Sequence, residues 1–259
     1  MHPSAKLSVA TLLTALALIG CKPAPPTAPA DADIKTPATQ ALPDYGTSVS
    51  GTISFAGKAP TPVSIDTSMD PVCSLAGGKV ASEQYVIHGG KLANVYLYLR
   101  SGPDAAMHAA AFSNQPVVLD QKGCQYTPHV IALMQGGSVE FRNSDSTMHN
   151  IHTMPTEAGN QTIDISQSPH GAPLTKQFSK PELMMPVRCN NHPWMNAFIN
   201  VSSTPFFAVS DASGHFTIHG LPPGEYVLAA VHEKLGEQTL PVHIAADGNA
   251  IVGFTFAAK

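Results

Sequence analysis

The sequence predicts an all-β protein, because segments that alternate apolar and polar residues follow one another from about residue 46 onward. Such alternation is typical of strands that bury one face. Glycine and proline turn signals separate these segments at the intervals expected of β-sandwiches. Only residues 104–112 favour a helix, of one or two turns. The strand candidates, in chain order, are 49–55, 85–88, 92–99, 117–119, 130–133, 138–142, 183–188, 197–201, 215–218, 226–232, 238–244 and 252–256.

The composition supports a folded core and excludes one class of partner. Hydrophobic residues make up 43% of the chain and charged residues 12%, so the surface is sparsely charged. The formal net charge is -4 at pH 7, and no basic segment favours nucleic-acid binding. We therefore expect no nucleic-acid partner.

Residues 1–21 have the pattern of an export signal. Lys6 precedes a largely apolar run that is too short, and too interrupted by threonine, to span a bilayer as a helix. The run ends in Leu-Ile-Gly-Cys at Cys21, which resembles the lipobox of bacterial lipoproteins. That resemblance implies lipidation of Cys21, removal of the preceding peptide and a stable membrane anchor. Because Lys22 follows instead of aspartate, it also favours the outer membrane, facing the periplasm. The alternative is an ordinary signal peptide with an incidental cysteine.

Residues 22–45 are rich in proline, alanine and threonine and have almost nothing to bury. This composition is typical of an extended tether or a disordered spacer. We expect it to separate the folded part of the chain from the lipid surface.

A domain boundary is expected near Ser203. The following segment resembles the carboxypeptidase regulatory-like (transthyretin-like) sandwich, whose signature is D-x-x-G-x-F-x-[ILV]-x-x-L-P-P-G-x-Y. The resemblance implies a small β-sandwich over residues 203–259, with no activity attached. At under 60 residues it is short for such a domain, so we expect it to pack against the domain before it. The matching residues are Asp211, Gly214, Phe216, Ile218, Leu221, Pro222, Pro223, Gly224 and Tyr226.

Metal-binding side chains are concentrated in one short segment. Cys189, His192 and Met195 lie within seven residues, and His149 and His152 lie upstream. A thiolate, imidazoles and a weak thioether form the ligand set of a mononuclear blue-copper site. A single short loop cannot supply every donor without strain, so a histidine from a second strand end is needed. Another metal such as zinc, or no metal, remains the alternative.

The two segments resemble the ligand loops of cupredoxins, most closely those of the amicyanin type. The resemblance implies a Greek-key sandwich over residues 46–202 and one type 1 copper ion. The implied ligands are His149, Cys189, His192 and Met195.

The residues around those ligands have implied roles as well. By the same resemblance, Asn150 donates a backbone hydrogen bond to the cysteine sulfur. Pro193 keeps the ligand turn short, and Trp194, the only tryptophan, is expected to shield the metal edge. His129 and His152 remain open as additional ligands.

The two remaining cysteines are expected to pair. In an oxidising periplasm two spare cysteines in one domain more often form a disulfide than stay free. We therefore predict a bond between Cys73 and Cys124. The alternative is a second metal site that also uses His129.

The cupredoxin resemblance implies an electron carrier and not an enzyme. Its partners would be redox proteins such as a c-type cytochrome or a periplasmic dehydrogenase, docking on an apolar rim of Pro193, Trp194 and Ala197. An enzymatic copper centre would need further histidine ligands, for which the sequence shows no pattern. The alternative function is a lipoprotein that binds, delivers or senses copper.

Overall fold

Strands make up nearly all the regular structure of the computed structural model, which describes residues 45–75, 80–111, 113, 115–246 and 248–258. The all-β prediction is confirmed. The expected helix near residue 104 ends at Met107. The helices are α1 (Pro71–Leu75) and α2 (Asp104–Met107), and the strands are β1 (Ser48–Ala56), β2 (Ile87–His88), β3 (Lys91–Leu92), β4 (Tyr96–Ser101), β5 (Val117–Gln121), β6 (Tyr126–Thr127), β7 (Val130–Met134), β8 (Ser138–Asn143), β9 (His149–Thr153), β10 (Asp164–Gln167), β11 (Leu174–Gln177), β12 (Glu182–Arg188), β13 (Asn196–Ser202), β14 (Phe207–Val209), β15 (His215–His219), β16 (Gly224–His232), β17 (Gly236–Ile244) and β18 (Asn249–Ala257).

Strands from both ends of the described chain build one sandwich. One of its sheets has the order β15-β1-β3-β2, with β18 paired in parallel to β1, and the other has the order β14-β4-β16-β17. Alternate residues of these strands face a shared apolar core, which buries Ile53, Leu97, Phe216, Leu228 and Phe254 among others. We call this the outer sandwich.

The strands between residues 117 and 202 build a second sandwich. Its sheets have the orders β10-β9-β12-β13-β7 and β11-β8-β5-β6. Two of the pairings, β5 with β8 and β7 with β13, are parallel and join strands that are distant in sequence. Its core buries Phe141, Ile151 and Val187 together with Cys189 and Met195. We call this the inner sandwich.

The strand pairing differs from the boundary expected near Ser203. The sequence placed residues 46–202 in one domain, but β1 and β4 pair with strands that lie after residue 206. The inner sandwich is therefore inserted into the outer one. Alternation shows which face of a strand is buried but not which strand it pairs with, so the sequence could not reveal this.

The segment after residue 203 is short because the outer sandwich is completed by strands from the other end of the chain. Phe216, Ile218 and Tyr226 face one core, as predicted. Its membership of the transthyretin-like family stays a prediction. The described residues all lie in one compact unit.

The expected signal, lipobox and proline-rich segment precede Tyr45 and lie outside the described residues. In the part of the chain that the structure describes, no helix has the length and apolarity needed to cross a membrane.

Two features of the outer sandwich lead to predictions. The first is the close approach of β1 and β18 at Gly51, where an added Cβ atom would lie 1.8 Å from the backbone oxygen of Val252. The second is His232, whose side chain is buried and stacks on Tyr85. Its Nδ1 accepts a hydrogen bond from the Lys234 amide at 3.2 Å, while Nε2 has no partner. Burial lowers the pKa of His232 to about 4.

We expect Gly51→Ala to lower the free energy of unfolding by about 1–3 kcal/mol, because the two strands must separate to admit the methyl group. Denaturant unfolding of the metal-free protein measures the change. Gly253→Ala on β18 is the matched control, since its Cβ would meet only the Thr52 oxygen at 3.5 Å. An equal loss in both variants would contradict the prediction.

We expect His232 to make folding stability depend on pH. The unfolded chain binds a proton at this histidine below about pH 6.5, whereas the folded protein does so only below about pH 4. The stabilisation is therefore complete above pH 6.5 and falls by on the order of 3 kcal/mol as the pH drops through this window. The difference in unfolding free energy between the wild type and His232→Phe should change accordingly. A constant difference from pH 7 to pH 4 would contradict this.

Candidate metal centre

The predicted ligands lie at the ends of two neighbouring strands. His149 begins β9, and Cys189 directly follows β12, which pairs with β9 in the same sheet. The turn after Cys189 closes on itself through two backbone hydrogen bonds. The Met195 amide donates to the His192 oxygen at 2.9 Å, and the Cys189 amide donates to the Met195 oxygen at 3.3 Å. This closure brings residues from both ends of the turn to one point.

Three donor atoms converge in the interior. The Nδ1 atoms of His149 and His192 are 2.9 Å apart, and His192 Nδ1 is 3.5 Å from the sulfur of Cys189. The three side chains are 0%, 3% and 3% exposed for His149, Cys189 and His192, so the group is closed to bulk water. Met195 is 1% exposed and belongs to the same core.

The cysteine sulfur accepts a hydrogen bond from the backbone of the neighbouring strand. The Asn150 amide donates to Cys189 Sγ at 3.2 Å, which is the contact that the resemblance implied. The Asn150 side chain in turn accepts from the Asn190 amide at 3.3 Å. The strand that carries His149 is thereby tied to the loop that carries the other donors.

Burial and hydrogen bonding shift the pKa values of Cys189 and His149 in opposite directions. Burial acts to raise the pKa of Cys189, but hydrogen bonds from His149, Asn150, Asn191 and His192 outweigh it and lower the pKa to about 6. Burial acts to lower the pKa of His149, but Asp145 and Cys189 outweigh it and raise the pKa to about 9. The thiolate, which is the form that binds metal, is therefore favoured near neutral pH.

Two carboxylates that the sequence analysis missed hold the outer edges of the imidazoles. Asp145 Oδ2 accepts from Nε2 of His149, and Asp70 Oδ2 accepts from Nε2 of His192, both at 2.9 Å. With the proton on Nε2, each Nδ1 presents its lone pair to the site. Asp145 could have been suspected from its position four residues before His149. Asp70, 122 residues away from His192, left no signal in the sequence.

These hydrogen bonds also keep both carboxylates ionised. Burial acts to raise the pKa of Asp70, but hydrogen bonds from Thr147, His192 and the amides of α1 lower it to about 2. Burial likewise opposes the hydrogen bonds to Asp145, from His149 and two backbone amides, which lower its pKa.

Trp194 lies against the ligand group as expected. Its ring centroid is 5.1 Å from that of His192, and its indole nitrogen donates to the Cys124 oxygen at 3.1 Å. The expected apolar rim is wrong in one member, because Ala197 is 0% exposed. Its side chain packs into the inner core, since it faces inward from β13. Pro193 is exposed.

The other two histidines lie outside the ligand group. His152 is three residues after His149 on a strand and therefore faces the opposite side, where its Nδ1 contacts Asn190 Oδ1 at 3.0 Å. His129 contacts the Asn196 oxygen at 3.2 Å and Glu233 Oε1 at 2.6 Å. Neither is among the described residues whose donor atoms lie within 4.8 Å of one another.

The predicted disulfide between Cys73 and Cys124 is confirmed. It joins α1 to the connection between β5 and β6. Because both sulfurs are used in this bond, the alternative of a second metal site with His129 is wrong.

The donor set fits copper. One thiolate and two imidazoles, with a buried thioether nearby in the chain, match a mononuclear copper site better than a structural zinc site, which uses four strong ligands. Among the described residues, two further groups have ligand-type atoms within 4.8 Å of one another, and each shares a histidine with this site and includes a disulfide cysteine. No independent second site is present there.

Comparisons with known proteins find matches among solved structures. No protein-family model matches the chain, and no curated protein matches it. Among solved structures it is similar to a mutant of amicyanin in the Cu(I) form, at 15% identity over 40% of this chain and 97% of that one, with a TM-score of 0.31. It is similar to a copper-containing nitrite reductase from Thermus scotoductus at 19% identity, over 57% of this chain and 28% of that one, with a TM-score of 0.31. A purple cupredoxin from Nitrosopumilus maritimus has 20% identity over 33% of this chain and 99% of that one, with a TM-score of 0.28. Similarities with such low TM-scores carry no argument about function. The argument about function rests on the geometry of the site.

We expect His149→Ala to abolish high-affinity metal binding, because it removes one of the converging donors. His152→Ala is the matched control, since it removes a histidine from the opposite face of the same strand and should leave binding largely unchanged. Competition for Cu(II) with a chelator of known affinity measures both. The reverse order of effects would contradict this ligand assignment.

Proposed function

We propose that this protein is a one-electron carrier that holds a single type 1 copper ion with His149, Cys189, His192 and Met195. The observation that carries the proposal is the convergence of the thiolate and two Nδ1 atoms in a closed site, with both Nε2 atoms held by carboxylates. Copper would supply reversible one-electron chemistry at this position.

The protein's own groups are suited to holding one geometry in two oxidation states. The ligand turn is closed by backbone hydrogen bonds, the sulfur accepts from Asn150, and the imidazoles are held at Nε2 by carboxylates. Imidazole rings held in this way cannot rotate when the oxidation state of the bound copper changes. Burial keeps water away, so a change of oxidation state requires little rearrangement of the surroundings.

The same closure disfavours copper delivery as the main function. A delivery protein transfers its metal by exchanging ligands with a partner, which requires at least one accessible donor. His192 is 3% exposed and Cys189 is 3% exposed, so a partner cannot reach either donor without opening the site. We likewise propose no catalytic role, since an enzymatic copper centre would need further histidine ligands.

We further propose that the carrier is anchored through lipidated Cys21, on the periplasmic side of the outer membrane. The proline-rich residues 22–45 would hold the sandwiches clear of the lipid. The lipobox supports the anchor, and the disulfide is compatible with an oxidising compartment. The partner would be a redox protein such as a c-type cytochrome or a periplasmic dehydrogenase. Since His192 is buried, that partner would make contact through residues that cover it, such as Trp194.

We expect the Cu(II)-loaded protein to show an intense thiolate-to-copper charge-transfer absorption that disappears on reduction and returns on reoxidation. Optical titration during stepwise reduction measures it. Cys189→Ser should lack the band because it removes the thiolate, while His152→Ala should retain it. A colourless copper complex that does not cycle would refute the carrier and favour copper storage or delivery.

A further inference from the structure

The carboxylate of Asp70 is held by more contacts than its position before a short helix requires. Its Oδ1 accepts from the amides of Val72 and Cys73 at 2.7 and 3.3 Å, which satisfies the first turn of α1. Its Oδ2 faces away from the helix and accepts from Thr147 Oγ1 at 2.8 Å and from His192 Nε2 at 2.9 Å. One oxygen therefore serves the helix while the other serves the ligand.

Asp145 is held in a corresponding way on the other side of the site. Its Oδ1 accepts from the Gly123 amide at 2.7 Å. Its Oδ2 accepts from the Cys124 amide at 2.8 Å and from His149 Nε2 at 2.9 Å. Each aspartate thus binds one ligand histidine and the backbone of one disulfide cysteine.

The disulfide joins the two aspartate arrangements. Cys73 Sγ lies within 4.8 Å of donor atoms of Asp70 and His192, and Cys124 Sγ lies within 4.8 Å of donor atoms of Asp145 and His149. A continuous connection runs from one imidazole to the other through Asp70, the disulfide and Asp145, without passing through the metal position. We call these four residues, Asp70, Cys73, Cys124 and Asp145, the outer clamp.

We propose that the outer clamp is a positioning device that sets the orientation and basicity of the two imidazole ligands, with Asp70 as the member that holds His192. This inference rests on the proposed copper function. A carboxylate that accepts the outer N–H of a ligand imidazole fixes its tautomer and raises its basicity, which favours the more highly charged metal ion. Asp70 also covers the edge of His192, so the clamp closes the site to water.

The clamp acts as a unit because its members come from segments that are far apart in sequence. Asp70 and Cys73 belong to the segment between β1 and β2, whereas Cys124 and Asp145 belong to connections of the inner sandwich. Without the disulfide, only weaker contacts would hold the Asp70 segment over the ligand site. We therefore infer that loss of the disulfide weakens the hold on His192 even though neither sulfur is a ligand.

The test compares Asp70→Asn with the wild-type protein. Asparagine is as good a residue before a helix as aspartate, so α1 is retained, but the charged acceptor for His192 is lost. We expect the dissociation constant for Cu(II) to rise about 10–100-fold. The dissociation constant for Cu(I) should rise less, and the reduction potential should become more positive. Replacing both Cys73 and Cys124 by serine should change these quantities in the same direction.

Asp66→Asn is the matched control. Asp66 lies in the same segment and accepts from the amide of Ser68, at 2.9 Å, and from its hydroxyl, so this variant removes the same charge without touching a ligand histidine. It should leave the copper affinities and the potential unchanged. The proposal fails if Asp70→Asn keeps the wild-type Cu(II) affinity and potential, or if Asp66→Asn changes them equally.

A measurement on the metal-free protein separates this proposal from the proposed function. Nitrogen NMR of the histidine rings should show His192 with its proton on Nε2, protected from solvent exchange, in the wild type and in Asp66→Asn. Protection should be lost in Asp70→Asn. If the wild type forms no thiolate–copper band but shows this pattern, the carrier function fails while the clamp stands. An unprotected His192 in the wild type refutes the clamp.

Discussion

The arrangement of this protein depends on the cost of burying a thiolate and two imidazoles in an apolar sandwich. Such groups are tolerated only where each polar atom has a partner. Cys189 is satisfied by Asn150 and the ligand histidines, and the outer nitrogens of those histidines are satisfied by Asp70 and Asp145. The partners come from three separate parts of the chain, so the whole inner sandwich and the segment before it must fold correctly before the site exists.

The need to satisfy these buried polar groups explains the role of the long segment between β1 and β2. Its described residues form little regular structure, yet they supply Asp70 and the first disulfide cysteine to the edge of the site. Because β1 and β2 on either side of it are fixed in one sheet of the outer sandwich, the segment spans both sandwiches. The outer sandwich therefore supports the metal centre without contributing a ligand. Closure by the segment supports the proposed electron carrier over a protein that exchanges its metal.

Much of the site could be predicted because most of the predicted ligands lie close together in the sequence. Cys189, His192 and Met195 lie in one turn, and an unusual combination of residue types within seven positions carries strong chemical meaning. The disulfide was also predictable, since only two cysteines remained once the expected lipidation site, Cys21, and the ligand-loop cysteine, Cys189, were set aside. His152 and His149 differ only by position on a strand, and the two-residue period of a strand decides between them. Asp70 was not predictable, because nothing links an aspartate to a histidine 122 residues later.

By itself the sequence determined the all-β class, the ligand turn, the cysteine pair and the core-facing residues of the last strands. These follow from periodicity and short-range spacing, which act within one segment of chain. Only the tertiary structure decided that β1 and β4 pair with the C-terminal strands, that Ala197 is internal and that two aspartates hold the ligand histidines. Those features depend on which strands pair and on which segments then meet. Such pairings are set by the packing of the complete chain, and no single segment encodes them.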